Sequence, residues 1–338
     1  MCWTSVASTS GVQIDNIQGG MPHNTPATSR KAHNVAAVRP HADALWRITW
    51  RSPKLDGMLP NSTRLILFTD LDGCLLNKHD YDWSPAAETL QILSKRQIPV
   101  ILNSSKTVAE MTQLARELGL AGKTFISENG SVIRWGDELE KGKSDSPTGE
   151  IEVIGASRDD ILSVLKQLKT EYRFRSFADL GVDGVMDETQ LSRDKARLAI
   201  ARQGTEPLLW DDSDEQRTKF EQALCTHQLT LTRGGRFWHV AGKTSKGVAM
   251  QRVAQCLSHP DTNTLTAAIG DSPIDQSMLD QADVPIGIPT PSGLGVNIAS
   301  PGIVAKQQGA AGWAEAVTQL LSRLDAAASA TQNSPPLV

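Results

Sequence analysis

Short apolar runs that end abruptly in acidic or small polar residues recur along this chain, with helical patterns between them. The first run, at 64–69, is followed directly by Asp70-Leu-Asp-Gly73. Similar runs stand at 99–102, 124–127, 264–269, 284–288 and 303–306. A strand buried on both faces is continuously apolar, and alternation with helices is typical of a parallel sheet covered on both sides. We therefore expect a doubly wound, Rossmann-like α/β core.

The segment 141–242 departs from this pattern. It combines predicted strands at 150–154, 229–233 and 236–241 with predicted helices at 159–172, 191–203 and 214–226. We interpret it as an α/β cap domain inserted into a core domain made of 61–140 and 243–325. Residues 1–60 lack a sustained apolar period and are rich in small polar residues. That composition predicts a disordered N-terminal extension, and 326–338 is expected to be a disordered tail.

Charge and cysteine usage narrow the class of protein. Lys and Arg total 34 against 38 Asp and Glu, for a net charge of -4. This balance argues against a nucleic-acid-binding protein, whose domain is usually basic. No apolar stretch approaches the roughly 18 residues that a membrane helix needs. Four scattered cysteines without metal-ligand spacing are typical of reduced thiols. We expect a cytoplasmic protein with a small-molecule substrate and neither a nucleic-acid nor a membrane partner.

Acidic and small polar residues stand where the predicted strands end. Asp70 and Asp72 follow the first strand, Ser104 follows the second, and Asp271 follows a later one. Ligands of open α/β sheets bind beyond the carboxyl ends of the strands. Ionised carboxylates that leave water need a compensating charge, and oxygen ligands suit Mg²⁺. The sequence therefore predicts a Mg²⁺ site at this edge of the sheet.

Other functional classes with this architecture fit less well. A phospho-receiver domain needs a phospho-accepting aspartate after a later central strand, and the stretch 101–105 has none. A nicotinamide-dependent enzyme needs a glycine-rich turn after a strand, and no GxGxxG stands there. A binding module with an inactive site would lack one of the acids, and all of them are present.

The order of these motifs resembles that of the haloacid dehalogenase superfamily of phosphatases. The matching stretches are Asp70-Leu-Asp-Gly73, the apolar run ending at Ser104, Lys246 at the start of a helix, and Gly270-Asp271 with Asp275. Cys74 stands where Thr or Ser is usual. The resemblance covers about residues 61–325 of this sequence. It implies Mg²⁺-dependent phosphoryl transfer through an aspartyl-phosphate.

The resemblance also implies a role for each matched residue. Asp70 would be the nucleophile and a metal ligand. Asp72 would act as acid and base, with its backbone carbonyl on the metal, and Asp271 would complete the metal site. Ser104 and Lys246 would hold phosphoryl oxygens. Asp275 would orient Lys246 or a metal-bound water.

A narrower resemblance is to mannosyl-3-phosphoglycerate phosphatases. It is carried by Asn103-Ser-Ser-Lys-Thr107, Ser127-Glu-Asn-Gly130, the run at 174–179 and Gly234-Gly-Arg-Phe237. It implies release of phosphate from mannosyl-3-phosphoglycerate to give mannosylglycerate, a compatible solute, and a functional link to a glycosyl-3-phosphoglycerate synthase. By the same resemblance, substrate-binding residues are Ser105, Lys106, Glu128, Asn129 and Gly130. The alternatives are a phosphatase of glucosyl-3-phosphoglycerate or of another sugar phosphate, and a capped phosphomutase.

Arginines of the inserted segment are candidates for the non-phosphoryl end of such a substrate. A glycosyl-3-phosphoglycerate carries a carboxylate close to its phosphate, and the planar guanidinium can bind two carboxylate oxygens at once. The candidates are Arg202, Arg233 and Arg236, the last two flanking the pair Gly234-Gly235. We expect at least one of them to bind the substrate.

Overall fold

The computed structural model describes residues 63–137, 150–258 and 262–332. The strands of these ranges are β1 (Thr63–Thr69), β2 (Val100–Asn103), β3 (Phe125–Ser127), β4 (Val132–Arg134), β5 (Ile151–Val153), β6 (Phe174–Ser176), β7 (Thr205–Trp210), β8 (Leu229–Gly234), β9 (Phe237–Gly242), β10 (Asn263–Gly270), β11 (Val284–Gly287) and β12 (Ile303–Val304). The α-helices are α1 (Ala87–Lys95), α2 (Val108–Glu117), α3 (Arg158–Leu168), α4 (Phe177–Thr189), α5 (Arg193–Ile200), α6 (Asp214–Thr226), α7 (Lys246–Leu257), α8 (Gln276–Leu279) and α9 (Gly309–Gln332). The predicted extension at 1–60 and the predicted boundary at 140 lie outside the described residues.

The larger sheet has the strand order β12-β11-β10-β1-β2-β3-β4-β5. Neighbours from β12 to β3 are parallel, and the last two pairs are antiparallel. Side chains of β1 alternate between two cores, as expected for a strand covered on both faces. Leu65 and Leu67 pack with α1, α2 and α9, whereas Ile66 and Phe68 pack with α7 and α8. The predicted doubly wound α/β class is confirmed.

A second, antiparallel sheet has the order β6-β7-β9-β8. Helices α3 and α6 pack on one of its faces through an apolar cluster that includes Ile161 and Phe220. Helices α4 and α5 pack together around Phe177 and Val185, with Phe237 of β9 against them. The sequence analysis missed β6, α4 and β7. Gly181 interrupts the helical dihedrals of α4, and β7 carries Glu206-Pro207, a pair that is depleted in strands.

Two expectations about the segment ends were wrong. The strand predicted at 150–154 was assigned to the inserted segment, but Ile151–Val153 pairs with β4 in the larger sheet. The hairpin partner, Val132–Arg134, had not been recognised as a strand. Helix α9 continues to Gln332 and so enters the stretch 326–338 that was expected to be disordered. Alanine, the best helix former, is frequent there. Apart from strand β5, the assignment of 141–242 to a cap domain stays a prediction.

Within the described residues, no helix combines the length and apolarity needed to cross a membrane.

Candidate active site

Asp70 begins the loop that follows the central strand β1. Its backbone N–H donates to the carbonyl of Ile269 in the neighbouring strand β10 at 2.9 Å. The hydroxyl of Thr69 donates to the Asp70 carbonyl and accepts a hydrogen bond from the indole of Trp313 at 2.9 Å. Trp313 is fully buried in α9. Two neighbouring elements therefore hold the end of this strand, which fixes the backbone from which the Asp70 carboxylate projects.

Lys246 lies at the first position of α7, and its side chain is 1% exposed. Its Nζ donates to Asp70 Oδ1 at 2.5 Å and to Asp275 Oδ1 at 2.7 Å. Burial alone would lower the pKa of Lys246, but the two carboxylates raise it above its ordinary value. The ammonium therefore stays charged and joins two acids that are far apart in the sequence.

Asp275 also holds the loop that carries Asp271. Its Oδ2 accepts hydrogen bonds from the backbone N–H groups of Asp271 at 3.2 Å and Ser272 at 3.0 Å, and from the Ser272 hydroxyl at 2.8 Å. Asp275 is fully buried. One carboxylate thus fixes both Lys246 and the backbone of the neighbouring acid.

The carboxylates of Asp70 and Asp271 converge at one point with the thiol of Cys74. One ligand atom from each of these buried side chains lies within 4.8 Å of the others. Gly73 permits this approach, because a Cβ at its φ of +95° would lie 2.6 Å from Asp271 Oδ2. Burial raises the pKa of Asp70 to about 7 although Lys246 acts against it, and burial raises the pKa of Asp271 to about 6. Converging buried carboxylates fit a divalent cation with oxygen ligands, such as Mg²⁺.

Cys74 contributes less to such a site. Burial and the nearby carboxylates raise the pKa of its thiol well above the ordinary value. A protonated thiol is a weak ligand, and Mg²⁺ prefers oxygen. The donor set for a hard cation is therefore the pair Asp70 and Asp271.

The structure does not bring the carboxylate of Asp72 into this group. Both of its oxygens accept hydrogen bonds from Lys106 Nζ, at 2.9 and 2.7 Å. Burial opposes the charge of Lys106, but Asp72 raises the pKa of this lysine above its ordinary value. Lys106, expected to bind substrate, is thus the ion-pair partner of Asp72. The predicted contact of the Asp72 backbone carbonyl with the metal stays a prediction.

Ser104 follows β2, the parallel neighbour of β1, and so lies at the same edge of the sheet as Asp70. It is 1% exposed, and its Oγ accepts a hydrogen bond from the Lys106 N–H at 3.3 Å. The sequence analysis did not identify Asn103, whose Nδ2 donates to the Lys246 carbonyl at 3.2 Å. The end of β2, directly before the Ser104–Lys106 loop, is therefore joined to the start of α7.

The stretch Glu128–Gly130 has three consecutive residues with left-handed backbone, at φ of 51°, 56° and 95°. A Cβ at Gly130 would lie 2.2 Å from the Ser245 carbonyl, so this glycine permits close contact with the residue before Lys246. The Glu128 carboxylate is fully buried and accepts from the N–H groups of Gln203 and Gly204. Contacts of Glu128, Asn129 and Gly130 with substrate stay predictions.

The three predicted arginines occupy different places. Arg202 Nη1 donates to Thr205 Oγ1 at 2.9 Å and lies 3.5 Å from the Ser105 carbonyl. Arg233 and Arg236 are exposed on the β8–β9 hairpin. The guanidinium of Arg233 lies 5.2 Å from the ring of Trp238, which packs against the α3–α6 cluster. The structure therefore brings Arg202, and neither of the other two, to the Ser104–Lys106 loop.

A cleft of about 210 Å³ opens beside the metal-ligand group. Gly73 and Asp271 line it, together with residues of 77–80, 289–291 and 308–309. Lys78 Nζ lies 4.0 Å from Asp271 Oδ2 and is well exposed. Solvent and small ions can therefore reach the Asp271 carboxylate through this cleft.

His239, a residue without any predicted role, is buried on β9 near Arg202. Its Nδ1 has no hydrogen-bond partner among the described residues. Burial lowers the pKa of His239 to about 3, and the charge of Arg202 acts in the same direction. The imidazole is therefore neutral at physiological pH.

We expect His239 to make the stability of the folded protein sensitive to acid, and His239→Gln to remove this sensitivity. The unfolded chain takes up a proton near pH 6.5 and the folded chain does not until about pH 3, so stability is lost as pH falls below 6.5. At about pH 4.5 the loss amounts to about 3 kcal/mol. Urea unfolding of wild type and variant at pH 7 and 4.5 checks this. The difference in unfolding free energy between wild type and variant at pH 7 reports packing alone. The same difference at pH 4.5 would contradict the prediction.

Residues 67–289 match the family of haloacid dehalogenase-like hydrolases. This match covers more than half of the chain, and the chain belongs to that family. The predicted superfamily is therefore confirmed.

Several solved structures share the fold of this chain. A Thermoplasma acidophilum protein is 16% identical with a TM-score of 0.52, over 78% of this chain and 99% of its own. A phosphatase of the superfamily from Bacteroides thetaiotaomicron is 14% identical with a TM-score of 0.53, over 79% and 98%. A sugar phosphatase of subclass IIB is 13% identical with a TM-score of 0.50, over 76% and 98%. At these identities the likeness concerns the fold.

Proposed function

We propose that this chain is a Mg²⁺-dependent phosphatase that hydrolyses mannosyl-3-phosphoglycerate to mannosylglycerate and phosphate. The observation that carries the proposal is the buried ammonium of Lys246, which joins Asp70 to Asp275 beside the carboxylate of Asp271. A carboxylate held in this way beside a cation site is suited to attack a phosphoryl group. Phosphoryl transfer depends mainly on such positioning and on charge neutralisation.

The reaction takes place in two displacements. An oxygen of Asp70 forms a bond to phosphorus, the ester bond breaks, and Asp72 gives its proton to the leaving alkoxide. Asp72 then takes a proton from water, whose oxygen attacks phosphorus and releases phosphate from Asp70. Acid–base help of this kind contributes about 10²–10⁴-fold. Bound Mg²⁺ supplies charge neutralisation between the nucleophile and the anionic phosphate.

The remaining residues hold the reactants. Lys246 orients Asp70 and offers its charge to the phosphoryl oxygens, with Ser104 as a second donor. Lys106 holds the Asp72 carboxylate through both of its oxygens. Before Asp72 donates a proton it must first acquire one, and the exposed side of this pair is where solvent can provide it.

The substrate part of the proposal rests on the motif resemblance and on Arg202. This arginine lies beside the Ser105 carbonyl, where it can meet a carboxylate close to the phosphate. One protein with the same fold is a sugar phosphatase, and a sugar-bearing ester is the substrate class proposed here. A cytoplasmic location and a link to a glycosyl-3-phosphoglycerate synthase belong to the same proposal.

A phosphate-release screen tests this function. The substrates are mannosyl- and glucosyl-3-phosphoglycerate and simple hexose phosphates, each with EDTA and with Mg²⁺. We expect the mannosyl ester to have the highest kcat/KM, EDTA to stop the reaction, and Mg²⁺ to restore it. Asp271→Asn serves as the control, because Mg²⁺ should restore little activity without this ligand.

The other outcomes identify the alternatives. Faster release from hexose phosphates would mean a phosphatase of another sugar phosphate. Conversion of one hexose phosphate isomer into another without free phosphate would mean a phosphomutase. Full activity in EDTA would contradict the metal requirement.

A further inference from the structure

Both carboxylate oxygens of Glu128 accept hydrogen bonds inside the protein. Oε1 accepts from the Gln203 N–H at 2.8 Å, and Oε2 accepts from the Gly204 N–H at 3.2 Å and the Thr205 hydroxyl at 2.6 Å. The residue is fully buried. These bonds join the loop after β3 to the start of β7.

The hydroxyl of Thr205 connects Glu128 to Arg202 by hydrogen bonds. A threonine hydroxyl has one hydrogen, which here points to Glu128 Oε2. Its oxygen is therefore left as the acceptor for Arg202 Nη1, at 2.9 Å. The direction of both hydrogen bonds is therefore fixed: the guanidinium donates to the hydroxyl, and the hydroxyl donates to the carboxylate. The guanidinium also lies 5.9 Å from the ring of Phe177, which limits its movement on another side.

Arg202 still has capacity to bind a ligand. Its Nε is buried and has no hydrogen-bond partner among the described residues. A buried charged donor without an acceptor is costly, and an anionic group of a ligand would satisfy it. Its Nη1 lies near the Ser105 carbonyl, next to the loop of Ser104. An anion at Arg202 would thus lie close to a phosphoryl group at Asp70.

Backbone hydrogen bonds also connect Glu128 to the Ser104–Lys106 loop, which we call the catalytic loop because of the roles proposed for its residues. The Glu128 N–H donates to the Lys106 carbonyl, and the Asn129 N–H donates to the Ser104 carbonyl, both at 2.9 Å. Left-handed backbone at consecutive non-glycine residues persists only where the surroundings enforce it, and it is common at functional sites. Glu128 is therefore fixed at both ends, by the catalytic loop and by the segment 203–205.

We propose that Glu128 is a positioning residue that acts through Thr205 to hold Arg202 as the carboxylate-binding group beside the catalytic loop. It thereby sets a preference for phosphate esters that carry a second, carboxylate charge. The inference rests on the proposed function in one respect, namely that the substrate has a carboxylate near its phosphate.

A pair of inhibitors measures this preference directly. 3-Phosphoglycerate and glycerol 3-phosphate differ only in that CH₂OH replaces the carboxylate. Their inhibition constants are measured against hydrolysis of p-nitrophenyl phosphate with Mg²⁺ present. We expect wild type to bind 3-phosphoglycerate at least about tenfold more tightly than glycerol 3-phosphate. A charge-assisted hydrogen bond accounts for a difference of this size. Glu128→Gln should lose most of this preference, so that its inhibition constants for the two compounds approach each other.

Two further variants isolate the path. Thr205→Val keeps the shape and leaves Glu128 intact, so the same loss of preference should follow even if Glu128→Gln fails to fold. Arg202→Lys should lose the preference as well. Because the three residues act as one unit, Glu128→Gln combined with Arg202→Lys should lose no more than either alone.

Glu152→Gln is the matched control. Glu152 accepts hydrogen bonds from Trp135 Nε1 at 2.9 Å and Arg252 Nε at 3.2 Å, and it should keep the preference. If Arg202→Lys loses the preference while Glu128→Gln and Thr205→Val retain it, the positioning role is overturned and the proposed function stands. If wild type itself shows no preference, the carboxylate-bearing substrate is overturned, and this inference with it.

Discussion

Asp70→Asn should fold normally and lose at least about 10⁴-fold in kcat, because the amide cannot form the aspartyl-phosphate. The substitution keeps the shape of the side chain. It also removes one of the two buried carboxylates at the proposed metal site, so the repulsion between positions 70 and 271 falls. We therefore expect thermal stability in EDTA to be retained, and the stabilisation by Mg²⁺ that we expect for wild type to be lost. Phosphate release and thermal unfolding with and without Mg²⁺ measure both effects.

Asp80→Asn is the control for this variant. Asp80 is an exposed acid that lines the cleft beside Asp271, and its carboxylate accepts a hydrogen bond from the Asp82 N–H at 2.9 Å. It should retain wild-type turnover. Turnover near wild type in Asp70→Asn would remove Asp70 from the role of nucleophile. A loss of fold in Asp70→Asn would mean instead that its bond to Lys246 is needed for stability.

The elements that could be predicted from the sequence are those with a continuous apolar run or a clear helix start. Strand β1 and the start of a helix at Lys246 agree with the structure. In each case the local pattern and the final packing favour the same conformation. The ends of the parallel strands then bring Asp70 and Ser104 to one edge, because topology alone requires it.

The missing parts depend on contacts between distant residues. Strand β7 is formed by pairing with β6 and β9, although Glu206-Pro207 argues against a strand. Trp313 reaches Thr69 across 244 positions of the chain, and nothing in the local sequence of α9 indicates that contact. Arg233 and Arg202 carry the same chemistry, and only the alternation of side chains along β8 and β9 places Arg233 against Trp238. Such differences cannot be read from spacing.

Lys246→Met has the second large expected effect, on stability as well as on activity. The wild-type ammonium is 1% exposed and contacts Asp70 and Asp275, so its removal leaves two buried carboxylates without their cation. Breaking a buried ion pair from one side costs about 3–5 kcal/mol. Methionine has a similar length and no charge, so lost volume adds little. Urea unfolding in EDTA should show a drop of that size, and phosphate release should fall to background.

A double variant separates charge from packing in this result. In Lys246→Met with Asp275→Asn, one unpaired carboxylate is also removed, so part of the stability should return while activity stays absent. Lys78→Met is the matched control, since Lys78 is well exposed and lies 4.0 Å from Asp271, and it should change stability by less than about 1 kcal/mol. If Lys246→Met were as stable as wild type, the buried acids would have to be protonated or solvated rather than held by this lysine. The double variant would then be no more stable than Lys246→Met. The Lys246 ammonium would in that case contribute to catalysis and not to stability.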